Sequence, residues 1–237
     1  MSQVYATGIE SIRQIMLAQS VNANNLANVS TAGFKGELAY VMEDTESVLQ
    51  AFSAPDLSEG SMQTTGRSLD VSIRNEGWFA VLGADGTEAY SRRGDLRVDA
   101  FGQLLDGAGR SVIGNSGPVA LPPFTAVEIA ADGTISIQPL GQAPNTLAVV
   151  DRIKLVELDE NAVYRGEDGL MRLATGLEAD PSANVQLIAG SLEGSNVNAV
   201  EEMVKMIDLS RRFEAQIQLM QSEDENNAAL STIMSMS

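Results

Sequence analysis

With neither Cys nor His anywhere in the sequence, thiol nucleophiles, imidazole bases, disulfides and nearly every zinc, copper or haem site are excluded. Chemistry would fall to carboxylates, amides and guanidinium groups. The 32 Asp and Glu residues guarantee close carboxylate pairs by composition alone. Such a pair could flank a glycosidic bond, but nothing sets one pair in a cleft. Trp78 is the only Trp to stack a sugar. The chain therefore reads as a non-enzyme without a cofactor. Asp85, Asp99, Asp106 and Asp132 each sit beside or near Gly. Calcium needs several oxygens converging at about 2.5 Å, and no Asp-x-Asp-x-Asp-Gly loop closed by Glu occurs. Turn chemistry explains these residues better. Gly102, Gly107 and Gly109 likewise read as hairpin turns, since no strand, Gly loop and helix with Lys-Ser/Thr follows them. The doublets Arg92-Arg93 and Arg211-Arg212 read as solvated pairs, or as partners for carboxylates of neighbouring subunits.

Amides are concentrated in one place. Asn24, Asn25 and Asn28 fall within five positions, although Asn is a mediocre helix former. A carboxamide has two donors and an acceptor. The cluster suits inter-chain hydrogen bonds or, equally, the fraying end of a helix. The net charge of -17 favours solubility and repels nucleic-acid phosphates and anionic lipids, so neither a nucleic acid nor membrane insertion is expected. No apolar run reaches the roughly 18 residues of a spanning helix. The start, Met1 to Tyr5, has no basic region followed by an apolar stretch, and reads as lacking a cleavable signal.

Three zones of hydrophobic period must position these groups. In the first, Tyr5, Ile9, Ile12, Met16, Gln19, Ala23 and Leu26 recur at alternating steps of four and three, a heptad seam on a helix. Gly33 ends it. From Leu69 to Ala189, short β-rich runs such as Leu69 to Ile73 and Trp78 to Leu82 alternate with Asp-Gly turns, a hairpin signal. In the last zone Met203, Met206, Ser210, Phe213, Ile217 and Met220 continue the seam, widened by Val200, Val204 and Ile207. Asn196 or Asn198 can cap that helix, with Glu201 and Glu202 in its first turn. The expected fold is α+β: long N- and C-terminal helices, a coiled-coil-like pair, flank an all-β antiparallel sandwich or open-barrel domain. The divisions are an N-terminal helix over 1–34, an irregular connection over 35–64, the β-domain over 65–191 and a C-terminal helix over 192–237. Two helices leave apolar edges uncovered, which points to neighbouring chains; the alternative is a closed hairpin on a monomer.

The segment Asn24-Asn25-Leu26-Ala27-Asn28, followed by a polar stretch and Gly33-Phe34-Lys35, resembles the signature of the flagellar rod and hook family of axial proteins. Thr65 to Ile73 with Gly77 to Val81 resembles that family's lead-in to its β-domain. Tyr90 to Gly94 and Asp99 to Leu104 fit its next hairpin, and Leu192 to Val204, with Glu193, Asn196 and Val197, fits the start of its last helix. The resemblance implies a structural subunit of the bacterial flagellar proximal rod, part of a tube that crosses the periplasm and transmits torque from motor to hook. Its partners would be copies of itself, other proximal rod subunits and the distal rod protein. It would pass the flagellar export apparatus unfolded. Interface residues would be Tyr5, Ile9, Ile12, Met16, Leu26, Val200, Val204, Ile207, Phe213, Ile217 and Met220. The alternatives are a distal rod or hook-type subunit, or a soluble carbohydrate-binding β-domain with helical dimerisation arms.

Overall fold

A computed structural model describes residues 2–43, 49–142, 146–159 and 162–235, with side chains for 8–41, 52–142, 146–159 and 162–225. The chain forms two compact units: one of Met1–Val29, Glu37–Ala54 and Val197–Ser237, the other of Ser30–Gly36 and Pro55–Asn196.

The first unit contains both helices, α1 (Ser2–Ala27) and α2 (Ala199–Ser235). They pack against each other and run antiparallel: Gly8 lies against Gln216 and Met220, while Asn22 near the other end of α1 bonds to Glu202. The cap of α2 is Asn198, whose Oδ1 accepts from the Val200 amide at 3.0 Å. Glu201 and Glu202 fill the first turn, where the helix dipole favours acid. At the end of α1 the Asn28 amide nitrogen donates to the Asn24 carbonyl at 2.9 Å, satisfying one of the orphan carbonyls of a helix terminus. Among the described residues no helix is long and apolar enough to cross a membrane.

The connection 35–64 is not irregular, contrary to the sequence expectation. Glu37–Glu43 and Leu49–Pro55 pair as a two-stranded ribbon in the helical unit, and Met62–Thr64 is a strand of the other unit. Leu38, Tyr40, Val41 and Phe52 are all substantially exposed. Apolar residues on both faces of a strand erase the period-two alternation that marks a half-buried one.

In the second unit Trp78–Leu82 is the organising strand. It pairs antiparallel with Glu88–Ser91 and Leu155–Val156 in a five-stranded sheet completed by Met171–Leu173 and Val163–Arg165. Its side chains divide the interior: Phe79 enters a cluster with Val71, Leu96, Leu104 and Ile135, while Trp78 and Ala80 enter one with Tyr90, Val156 and Met171. The strands Phe124–Ile129, Thr134–Pro139 and Ala148–Arg152 form a second sheet.

The described strands form neither the expected sandwich nor an open barrel. The described strands of the chain fall into seven small sheets, five of them two-stranded, and none closes. Turns recur so often that many strands are only 2 or 3 residues long, so each pairs locally. Register shifts between Phe124 and Ala126 and between Ile135 and Ser136 interrupt the longer ladders. The turns themselves are as the Asp-Gly signals suggest. Asp85, Asp99, Asp106 and Asp132 each accept a hydrogen bond from the amide two residues on, at 2.9–3.0 Å, and Gly133 in one of these turns adopts φ +86. Their carboxylates serve the backbone.

Candidate assembly site

The β-rich unit contains both passages of chain that lead to the helices, residues 30–36 and the segment ending at Asn196. They are pinned side by side. The Gly33 amide donates to the Glu193 carbonyl at 2.7 Å, the Asn196 amide to the Phe34 carbonyl at 3.3 Å, and the Gly36 amide to Asn196 Oδ1 at 2.7 Å. The Asn196 side chain also donates to the Asp56 carbonyl at 2.9 Å. Gly33 is held at φ +64, and a Cβ there would lie 2.3 Å from the Arg92 backbone. Only Gly allows that approach.

Beside this crossing lies a buried ion cluster. Lys35 Nζ meets Glu193 Oε1 at 2.7 Å and the Ser58 carbonyl at 2.6 Å. The same Oε1 accepts from the Gly60 amide at 3.0 Å, and Arg92 Nη1 stands 3.6 Å from Oε2. Lys35, Glu193 and Arg92 are only 2%, 3% and 5% exposed. Burial pushes the Lys35 ammonium below the ordinary lysine range, opposed by Glu193; burial likewise lowers Arg92, with Glu193 again opposing. The Arg92 guanidinium lies 5.7 Å over the Trp78 ring and donates to the Asn75 carbonyl at 2.6 Å. Arg165 covers the Phe34 ring at 4.9 Å and donates to the Lys35 carbonyl. Such a cluster holds two chain passages in register.

Arg92 is the residue that composition and spacing missed. It reads in the sequence as half of a basic doublet, yet it is buried and paired within the chain. Its neighbour Arg93 makes a bidentate pair with Asp95 at 2.7 and 3.0 Å. Only the motif Tyr90 to Gly94 hinted at the position.

In the helical unit the amide cluster divides by role. Asn25 is buried and embraces one residue of the ribbon: its Nδ2 donates to the Glu37 carbonyl at 2.9 Å and its Oδ1 accepts the Glu37 amide at 2.8 Å. Asn28 caps α1, and Asn24 is exposed. Asn22, not singled out from sequence, joins the helices by donating to the Glu202 carbonyl at 3.0 Å. The apolar seam is divided, with Met220 against Gly8 between the helices and other members turned outward. Ile9, Met16, Val200, Val204 and Ile207 are 54–70% exposed. Ile12, Leu26, Phe213, Ile217 and Met220 are half-buried. The Tyr5 side chain falls outside the described ones. Val197, half-buried, opens the last segment of this unit. The helix pair thus uses Gly8 against Gln216 and Met220, and Asn22 against Glu202, at its contact, and leaves Ile9, Met16, Val200, Val204 and Ile207 exposed.

Residues 188–233 match the family profile described as "Flagellar basal body rod FlgEFG protein C-terminal", and residues 72–137 match "Flagellar hook protein FlgE/F/G D1 domain". The flagellar basal-body rod protein FlgF of Escherichia coli is 42% identical, with both chains covered in full. The chain belongs to the flagellar basal-body rod protein family. FlgF of Salmonella typhimurium is 39% identical, again over the whole of both chains. FlgG of Buchnera aphidicola is 31% identical over 91% of this chain and 95% of that one. These two FlgF relatives match at higher identity and fuller coverage than that FlgG. Glu193, Asn196 and Val197, with the α2 residues Val200 to Met220, lie inside the matched C-terminal stretch. In this rod-family chain the signature residues Gly33, Phe34, Lys35, Glu193 and Asn196 meet at one knot, though 158 positions separate Lys35 from Glu193.

Proposed function

We propose that this structural subunit of the bacterial flagellar rod works by packing alone, with the exposed helical seams joining it to neighbouring axial subunits. The carrying observation is the stripe Ile9, Met16, Val200, Val204 and Ile207, left 54–70% exposed on two helices that already have each other as partners. Exposed apolar stripes of this kind mark interaction surfaces. The β-rich unit has its own closed clusters and needs no neighbour to bury them. Gly77-Trp78, Ile129 to Ser136 and Arg211 to Glu214 suit the proximal rod member of the family. Neighbours would be copies of this chain, other proximal rod subunits and the distal rod protein. Delivery would be through the flagellar export apparatus with the chain unfolded, a route that a chain without Cys meets without disulfide formation on the way. Ile9→Asp and Val204→Asp test the seam. Each buries a charge in an assembled interface at a cost of several kcal/mol. The expected outcome is non-motile cells whose purified variant melts like the parent; normal swimming by both would refute the seam.

A further inference from the structure

The helix pair covers one face of each helix and turns another outward. On α1 the outward face has Arg13, Met16, Ser20, Ala23 and Ala27; on α2 it has Val200, Val204, Ile207, Arg211 and Glu214, all of them exposed. Both runs step by three and four residues in alternation, so each follows one helix face. Within a chain these residues stay outside, because the helices join through others: Gly8 against Gln216 and Met220, and Asn22 against Glu202.

Read in opposite directions, the two outward runs are complementary. Ala27, Ala23 and Ser20 fall opposite Val200, Val204 and Ile207, so each bulky side chain meets a small one, as interdigitating helices require. Met16 falls on the stem of Arg211, and Arg13 falls opposite Glu214. The Arg13 side chain is 75% exposed and its Nη1 lies 3.6 Å from Glu10 Oε2, beyond hydrogen-bond reach, so it is open to a second acid. Register decides whether the faces fit. At the level of the contacts within the chain, Arg13 would face Arg211, a like charge. A slide of three residues, about 4.5 Å along the axis, exchanges that repulsion for the pair with Glu214. One heptad from there in one direction sets Arg13 on Ile207; one heptad in the other leaves Val200 and Val204 uncovered.

We propose that the neighbour on the α2 stripe is a second copy of this chain, which presents the outward face of α1 in that register. The inference rests on the reading of the chain as a packed rod subunit and names the partner of its seam. Bulk against small side chains holds the two faces, and the pair of Arg13 with Glu214 selects the register, as complementary charge does at interfaces. The contact is heterologous, α2 of one copy on α1 of the next, so it repeats from copy to copy. A step along the axis at each contact makes the series a helix instead of a closed ring.

The chain has no Cys, so single replacements report the contact. Two tagged forms of the full chain are co-expressed in cells lacking the native gene, one with Ala23→Cys and the other with Val204→Cys, and isolated basal bodies are oxidised. A disulfide needs Cβ atoms about 3.5–4.5 Å apart. The expected result is a dimer carrying both tags, and none when Arg211→Cys, two turns away, takes the place of Val204→Cys. Absence of the mixed dimer, or equal yield from both pairs, overturns the proposal. Swimming gives a second reading. Ala23→Leu sets bulk against Val204 and should lose swimming at an unchanged melting temperature, and adding Val204→Ala should restore it. Normal swimming by Ala23→Leu, or a loss that Val204→Ala does not restore, also overturns the register. Should either Cys form fail to enter basal bodies, this size exchange decides. Maleimide labelling of Val204→Cys in the same basal bodies separates the copy from the seam. Protection without the mixed dimer means that another rod subunit covers the stripe, which refutes the second copy and leaves the seam standing; free labelling in the rod removes both.

Discussion

Replacing Glu193 by Ala should be among the most damaging single changes in the β-rich unit. Glu193 accepts from Lys35 Nζ at 2.7 Å and the Gly60 amide at 3.0 Å, and faces Arg92 at 3.6 Å. The variant leaves two cations, at 2% and 5% exposure, without their carboxylate. Breaking a buried pair in this way costs about 3–5 kcal/mol. Lys35 itself sets a ceiling on its share. A lysine that starts at 10.5 sheds its proton at neutral pH once burial costs it about 5 kcal/mol, at 1.36 kcal/mol per pH unit. Arg92 has no such escape, because guanidinium stays charged. The loss converts to a fall in melting temperature of about 6–20 °C for a chain of this size. Trp78, the only Trp, lies under the Arg92 guanidinium and reports unfolding of this unit by fluorescence. The sign with pH is fixed as well. In the variant the folded Lys35 binds its proton more weakly than the unfolded one, so stability should rise as pH increases above neutral. Adding Lys35→Met should restore part of the loss, since the second buried charge is then gone. A penalty under about 1 kcal/mol for Glu193→Ala would refute the reasoning and reduce the cluster to an ordinary surface-type pair.

Three further outcomes follow from the geometry. Gly33→Ala, which forces a methyl to within 2.3 Å of the Arg92 backbone at φ +64, should cost more than the roughly 1–2 kcal/mol of left-handed strain alone; a urea melt showing less would mean the approach is not close. Asn25→Leu removes both bonds to Glu37 and should cost about 1–3 kcal/mol. Hydrogen exchange at the Glu37 amide should quicken, and unchanged protection would show that the amide only decorates the helix end. Asp132 and Asp168 are held below their unfolded value of 3.8, the first mainly by the Thr134 amide and the second mainly by Arg172. Their stabilisation is present above 3.8 and lost as pH falls through the lower folded values, so urea midpoints should drop on acidification and drop less in Asp168→Asn.

The helices were legible because their causes are local. The three-four alternation from Ile9 to Leu26, the cap Asn198 and the acids Glu201 and Glu202 are read from neighbouring residues, and the structure has helices at both ends. The Asp-Gly turns were legible for the same reason. The ribbon over 37–55 was not, because Leu38, Tyr40 and Val41 break the alternation that marks a strand with one buried face. The sheet architecture was misjudged because strand signals do not state who pairs with whom: Val71–Arg74 takes Gln186–Ala189, and Met62–Thr64 takes Ser191–Glu193. The knot at Glu193 depends on that long-range pairing. Nothing in the spacing of Lys35, Arg92 and Glu193 links them; only the family signature singled out two of the three. Burial decided the rest, turning an apparently solvated Arg92 into a structural cation.

If the subunit works by packing, the outward-facing helical stripe becomes an interface in the rod. The chain has no Cys, so a single Val204→Cys is a unique probe, with Phe101→Cys, on a turn of the β-rich unit at 89% exposure, as the control. Maleimide labelling of the purified chain and of isolated basal bodies makes the comparison. Both sites should label readily in the free chain, while Val204→Cys becomes protected in the assembled rod. Equal labelling of Val204→Cys in both states would contradict that interface.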